Sequence, residues 1–176
     1  MSTTAPAVET GATLIDMFLR EMEQEAIATR RLLERVPEDK YDWMPHEKSM
    51  PLMRLVTHIA ELPGWVAMTM YTDELDFAKN GYEAKIVKNN KELLAFFDET
   101  LAQGRKALKE ADPALLPKDW TLRRGEKIFS IRPKSDVIRM AFCQIVHHRA
   151  QLGVYLRLLN VPLPMSYGPT ADEGTM

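Results

Sequence analysis

A single cysteine, Cys143, stands in the 176 residues, so no disulfide can form within the chain and none can staple it. Runs of about 18 uninterrupted apolar residues are absent, which removes a membrane-spanning helix from the expectations. The first residues, MSTTAPAVETGATLIDMF, lack the basic region and long apolar stretch of a secretory signal. Charge of one sign is also lacking: the formal net charge is −2, giving no general attraction to nucleic acid or an anionic membrane. The expectation is a soluble protein of a reducing cytoplasm that binds neither membrane nor DNA. Missing too are a phosphate-cradling glycine loop, a His-Glu-x-x-His helix, paired zinc-binding cysteines and any internal repeat.

What is present is ordinary globular material, 45% hydrophobic and 27% charged, enough for one domain with a real core. Eleven methionines read as adaptable core filling rather than a recognition surface. Residues 1–11 are small, polar and Pro-containing, and read as a loose leader before a single domain over 12–176. From Ala12, apolar residues Leu14, Ile15, Phe18, Met22, Ile27, Leu32 and Leu33 recur at spacings that mostly suit one helical face, up to Val36-Pro37. Ser49-Met50-Pro51 is a plausible helix start; Leu55, Ile59, Leu62 and Trp65 mark the apolar side of the helix that follows, and Pro63 should kink it or open a gap in its hydrogen bonding. A long connection over residues 72–88 leads to a third helix, residues 89–110, stopped by Asp112-Pro113. Weak alternation around Arg124-Gly125-Glu126 suits a small hairpin. The fourth helix spans Pro133 to Asn160, and the Pro- and Gly-rich remainder reads as an irregular arm packed back on the domain. The fold class is therefore all-α, a four-helix bundle with long crossover connections.

The polar chemistry gathers in the fourth helix. At 100° per residue, Ala141, Leu152 and Leu159 lie within about 40° of His148, so this histidine looks along the edge of a core stripe. Gln144 lies one turn before it on the same face, and Gln151 follows at i+3, close enough to hydrogen-bond and orient it. His58 falls between Leu55 and Leu62 on the second helix and is also aimed inward. Bundle interiors build metal sites from facing helices, so His58, His148 and Gln144 form a candidate metal site. A glutamine ligates only through a neutral amide oxygen, so this set should bind more weakly than three histidines. Glu61, one turn from His58, is the candidate general base and could orient the ring; its plainer reading is a solvated helix charge. His46 reads as an exposed loop residue, His147 as surface or interface, and Cys143 as inert and buried. Met140, Cys143, His147, Val154 and Leu158 give the fourth helix a further apolar face, so it is either central or covered by a second subunit, and a homodimer is expected.

Three blocks, LLERVPEDKYDWMPHEKSMPLMRLVTHIAEL, VHHRAQLGVYLRLLNVPLP and YGPTADE, together resemble the DinB family. The resemblance implies an up-down-down-up bundle, often dimeric, that holds a divalent ion such as zinc, nickel, manganese or iron on three histidines. His58 and His148 match two of them, and the third falls on Gln144. Arg149-Ala150-Gln151 is similar to the family's Arg-Gly-Gln. Relatives include thiol-dependent transferases and isomerases, so the implied activity is metal-assisted thiol transfer or hydrolysis on a small molecule. The alternative is a metal-free bundle that binds a small molecule or a protein partner, with His58, Gln144 and His148 joined by hydrogen bonds.

Overall fold

The computed structural model describes residues 11–79 and 83–174. Four helices carry it: α1 (Gly11–Leu33), α2 (Leu52–Tyr71), α3 (Asn90–Lys109) and α4 (Lys134–Leu158). A sheet of β1 (Glu74–Asp76), β2 (Asp119–Arg124) and β3 (Lys127–Pro133) lies between α2 and α4 in chain order, interrupted by α3. The leader over 1–11 falls almost wholly outside the described residues, and its last member, Gly11, opens α1.

Helical periodicity decides which residues enter the core. Leu55, Val56, Ile59 and Ala60 of α2 are fully buried, as are Ile138, Phe142, Leu152 and Leu156 of α4. Each such large aliphatic or aromatic side chain contributes about 1.5–3 kcal/mol by leaving water. Phe18 of α1 meets Phe142 edge to face at 5.8 Å. The main helix contacts pair α1 with α3 and α4, and α2 with the same two. Helices α1 and α2 therefore sit across the bundle from one another, as do α3 and α4, whereas the consecutive α2 and α3 pack side by side.

Helix ends follow local chemistry. Asn89 caps α3 by accepting from Glu92 N at 2.9 Å, satisfying one of the first-turn amides. Ser49 does not cap α2: Pro51 stands at its N-cap, with no side-chain cap hydrogen bond. The proline, two residues closer, already restricts the entering backbone, so the serine falls outside the first turn. At the other end of α2, the buried Lys134 donates from Nζ to Thr69 O at 2.9 Å and to Thr72 O, and pairs with Asp73 at 3.0 Å. A cation is thus placed on the terminal carbonyls where the helix dipole favours it.

Pro63 lies inside α2, and the helix runs on to Tyr71. Its missing N–H leaves a gap in the ladder; beside that gap, Thr100 Oγ1 donates to Ala60 O at 2.5 Å. Gly104 lets α3 approach here, because a Cβ on it would stand 2.6 Å from Pro63 O.

The expected hairpin is present, with Gly125 at φ 56° in its turn. The strand β1 was not expected within the long connection. It pairs parallel with β2, Leu75 opposite Leu122, and its Asp76 accepts from Ala78 N and Gly125 N, both at 2.9 Å. Those amide bonds hold the Asp76 carboxyl below the usual carboxylate range.

Candidate functional site

On α2 and α4 the same local device occurs twice: a histidine with an oxygen acceptor three residues on, where helical geometry brings side chains together. His58 Nδ1 lies 2.5 Å from Glu61 Oε1, and His148 Nδ1 lies 2.8 Å from Gln151 Oε1. A carboxylate and an amide oxygen can only accept, so each Nδ1 carries the proton and donates. In the neutral rings both Nε2 lone pairs are then left for a ligand. The two imidazoles meet edge to face, with centroids 4.6 Å apart and planes at 73°.

The surroundings set the electrostatics. The His58 and Glu61 side chains are 16% and 13% exposed, and His148 is 8% exposed. Burial pushes the His148 imidazole below its ordinary range; the Gln151 hydrogen bond opposes this, while His58, His147 and Arg54 add to it. The site therefore favours a neutral His148, the form that can donate a lone pair. Arg54, one turn before His58, places Nη2 3.4 Å from both His58 Nδ1 and Glu61 Oε1. With Nδ1 donating to Glu61, the guanidinium acts on the carboxylate as a charge partner.

Of the residues expected from sequence, His58, Glu61, His148 and Gln151 come together. Gln144 lies one turn before His148, half-buried, and its side chain makes no hydrogen bond among the described residues. The expected His58–Gln144–His148 hydrogen-bonded trio is thus replaced by the two histidine–acceptor pairs. His147 is exposed, its ring centroid 4.8 Å from that of His148, and His46 is exposed in its loop. Cys143 corrects its expectation: it is exposed, not buried. Phe142 and Ile145 take the core positions on that turn, and Cys143 is rotated about 100° from its neighbour Phe142.

Arg54 was missed, although its position four residues before His58 was a readable signal. A second polar centre had no such signal. Arg149, 5% exposed, pairs with Glu25 at 2.6 Å and donates to Thr29 Oγ1 at 3.2 Å. Tyr167 of the C-terminal arm donates to the Glu25 carboxylate at 2.8 Å and stacks under the Arg149 guanidinium. Beside this cluster, a cavity of about 220 Å³ opens between α1, α4 and the arm, lined partly by Leu32, Val146 and Met165; neither His58 nor His148 reaches it.

The pair of imidazoles fits a divalent ion as two of its ligands, since neutral Nε2 donors with oxygen-held Nδ1 atoms are the usual form of histidine ligation. A full three-donor set is not met: among the described residues, no group of three or more His, Cys, Asp or Glu side chains could hold a metal ion. Any third protein donor on this face falls to Gln144. No helix among the described residues is long and apolar enough to cross a membrane.

A DinB-like protein from Bacillus cereus superposes with a TM-score of 0.67 at 17% identity, over 86% of this chain and 97% of that one. A DinB-like protein from Bacillus subtilis gives 0.67 at 18%, over 85% and 97%. A mycothiol-dependent maleylpyruvate isomerase is similar at a TM-score of 0.56 and 14% identity, covering 83% of this chain and 64% of the isomerase. None of the curated proteins matches the chain in sequence. The model of the DinB family matches residues 1–175, and with the DinB-like fold around it, this chain belongs to the DinB family.

Proposed function

We propose that the chain is a metal-dependent enzyme acting on a small molecule by thiol transfer or hydrolysis at the His58–His148 pair. The observation that carries this reading is the meeting of two imidazoles on facing helices, 4.6 Å apart, each with Nδ1 against an oxygen. His58 and His148 hold the ion, which is zinc, nickel, manganese or iron, and the Gln144 amide oxygen is a weak third donor. When bound, a divalent ion supplies Lewis acidity, which makes a water or thiol nucleophilic near neutral pH. Glu61 fixes the His58 tautomer and would accept the released proton, with the Arg54 guanidinium paired to its carboxylate. Gln151 orients His148. Family membership supports the reading, and the isomerase's dependence on mycothiol supports a thiol as one reactant.

The same reading makes the protein a cytoplasmic homodimer whose helices run up-down-down-up. Contacts rise together between α1 and α4, Phe18 with Phe142 and Glu25 with Arg149. They run oppositely between α2 and α4, where Met50 meets Tyr155 and Thr69 meets Lys134. The α4 face with Val154 and Leu158, 59% and 57% exposed, is the surface a second copy covers. Its substrate is a small molecule rather than DNA or membrane.

Calorimetric titration of the full chain with zinc, nickel and manganese, beside His58→Ala, tests the reading. Stoichiometric binding that the variant loses supports it and directs thiol-transfer and hydrolysis assays. No binding at micromolar protein hands the site to a metal-free bundle that binds a small molecule or a protein partner. That second reading is favoured by one observation: the Glu61 carboxylate already accepts from both His58 Nδ1 and Arg54 Nη2.

A further inference from the structure

The sheet order β1-β2-β3 leaves β3 with one edge that no other described strand covers. The exposed edge is apolar as well as open: Ile128, Phe129 and Ile131 are 51%, 47% and 55% exposed. Successive strand residues point to opposite faces, so apolar surface is shown on both sides of β3. On one side it is extended by Phe77, whose ring stands 6.5 Å from that of Phe129. Proteins usually guard such an edge, because its open N–H and C=O groups template another strand.

The charges flanking this edge are mainly positive. Lys118, Arg124, Lys127 and Arg132 are all exposed on or beside the hairpin, with only Asp119 and Glu126 against them over 118–132. Lys127 Nζ lies 5.5 Å over the Phe129 ring and Arg124 stands over Phe77 at 5.8 Å, so cations rim the apolar patch. The hairpin is thus basic on a chain whose net charge is −2. Two copies of β3 paired antiparallel with Ile128 opposite Ile131 would also set Lys127 opposite Arg132, and like charges directly across a ladder are destabilising. An acidic strand meets no such cost. A membrane surface would satisfy the charge and the apolar residues but not the open backbone groups.

We propose that the β3 edge is a docking site for an extended acidic segment of a partner protein, in which Asp or Glu alternates with apolar residues. The segment adds a fourth strand: main-chain hydrogen bonds give affinity, Ile128, Phe129 and Ile131 supply apolar contact, and Lys127 and Arg132 select acidic sequence. This inference is independent of the histidine site.

A synthetic peptide alternating Val and Glu, titrated into the isotope-labelled full chain and followed by amide NMR, tests it. Shifts and slowed amide exchange confined to 127–133 and the neighbouring turn are expected, weakening with salt. The double variant Lys127→Glu/Arg132→Glu should bind about tenfold more weakly or worse while its circular dichroism stays unchanged; if it misfolds, Lys127→Gln/Arg132→Gln takes its place. Absence of shifts at millimolar peptide overturns the proposal, as does equal binding of a Val/Lys peptide or a response centred elsewhere. Hairpin-dependent sedimentation with phosphatidylcholine–phosphatidylglycerol vesicles, without peptide binding, assigns the patch to a membrane instead. A concentration-dependent dimer abolished by the double variant assigns it to a second copy.

Discussion

The imidazole of His58 stands edge-on to that of His148, and each ring turns its Nδ1 toward an acceptor on its own helix. Each helix therefore orients its own histidine, and the packing of α2 on α4 only has to bring two finished halves together.

Because orientation is local, the acceptors can be tested one at a time. Glu61→Ala removes the oxygen that holds His58 Nδ1–H. Loss of such a partner typically costs about 10- to 100-fold in metal affinity. Zinc calorimetry should show a drop of that order, with the fold unchanged by circular dichroism.

Gln144→His should act in the opposite sense. It offers an imidazole one turn from His148 on the same face, in place of a neutral amide oxygen. Tighter zinc binding than wild type is expected, and activity in a thiol-transfer assay should rise with it. Affinity that stays negligible in this variant argues against a site preformed by His58 and His148.

The lowered His148 titration has a pH consequence. Its folded value lies below the ordinary one of about 6.5, so between the two the unfolded chain binds more protons. The stability this histidine contributes is present above the unfolded value and is lost as pH falls through the folded one. Urea unfolding from pH 7 downward should therefore show wild type losing more stability than His148→Leu, the difference beginning near pH 6.5. Parallel curves would mean that His148 protonates equally in both states.

Glu25 and Arg149 form a buried pair at 2.6 Å. Glu25→Ala strands the guanidinium and releases the hydroxyl of Tyr167. Breaking one side of such a pair costs about 3–5 kcal/mol, read as a fall in the urea midpoint. Glu25→Met/Arg149→Met should recover part of that loss, since no charge is left uncompensated.

Two glycines should respond with opposite signs. A Cβ at Gly104 would stand 2.6 Å from Pro63 O and 2.9 Å from Met22 Cε, whereas at Gly153 it meets nothing within 4 Å. Alanine gains about 1 kcal/mol over glycine inside a helix, but at position 104 overpacking at about 1–3 kcal/mol outweighs it. Gly104→Ala should lower the melting temperature and Gly153→Ala should raise it. A destabilised Gly153→Ala would reveal a partner on that face of α4.

Sequence reading reached what is local. The four helices, the Asn89 start of α3 and the turn at Gly125 all rest on nearby residues, and so do the positions of His58 and His148 on their stripes. It failed where contacts are distant. Strand β1 is three residues long and exists because Thr121 pairs with Glu74, far along the chain. The Glu25–Arg149–Tyr167 cluster likewise joins residues from α1, α4 and the arm, with no spacing to betray it. Cys143 was misread because an apolar helix does not declare which side faces water.

The C-terminal arm has a consequence for how the protein is made. Arg31 is held by Glu173 at 2.5 Å and Glu25 by Tyr167, pairs 142 residues apart. Helix α1 is translated first yet receives these partners only after residue 173 has left the ribosome. Closing so long a loop precedes any reward from its contacts and slows folding. Nascent chains halted near residue 160 should therefore be cut by protease within α1 more readily than chains released past 173.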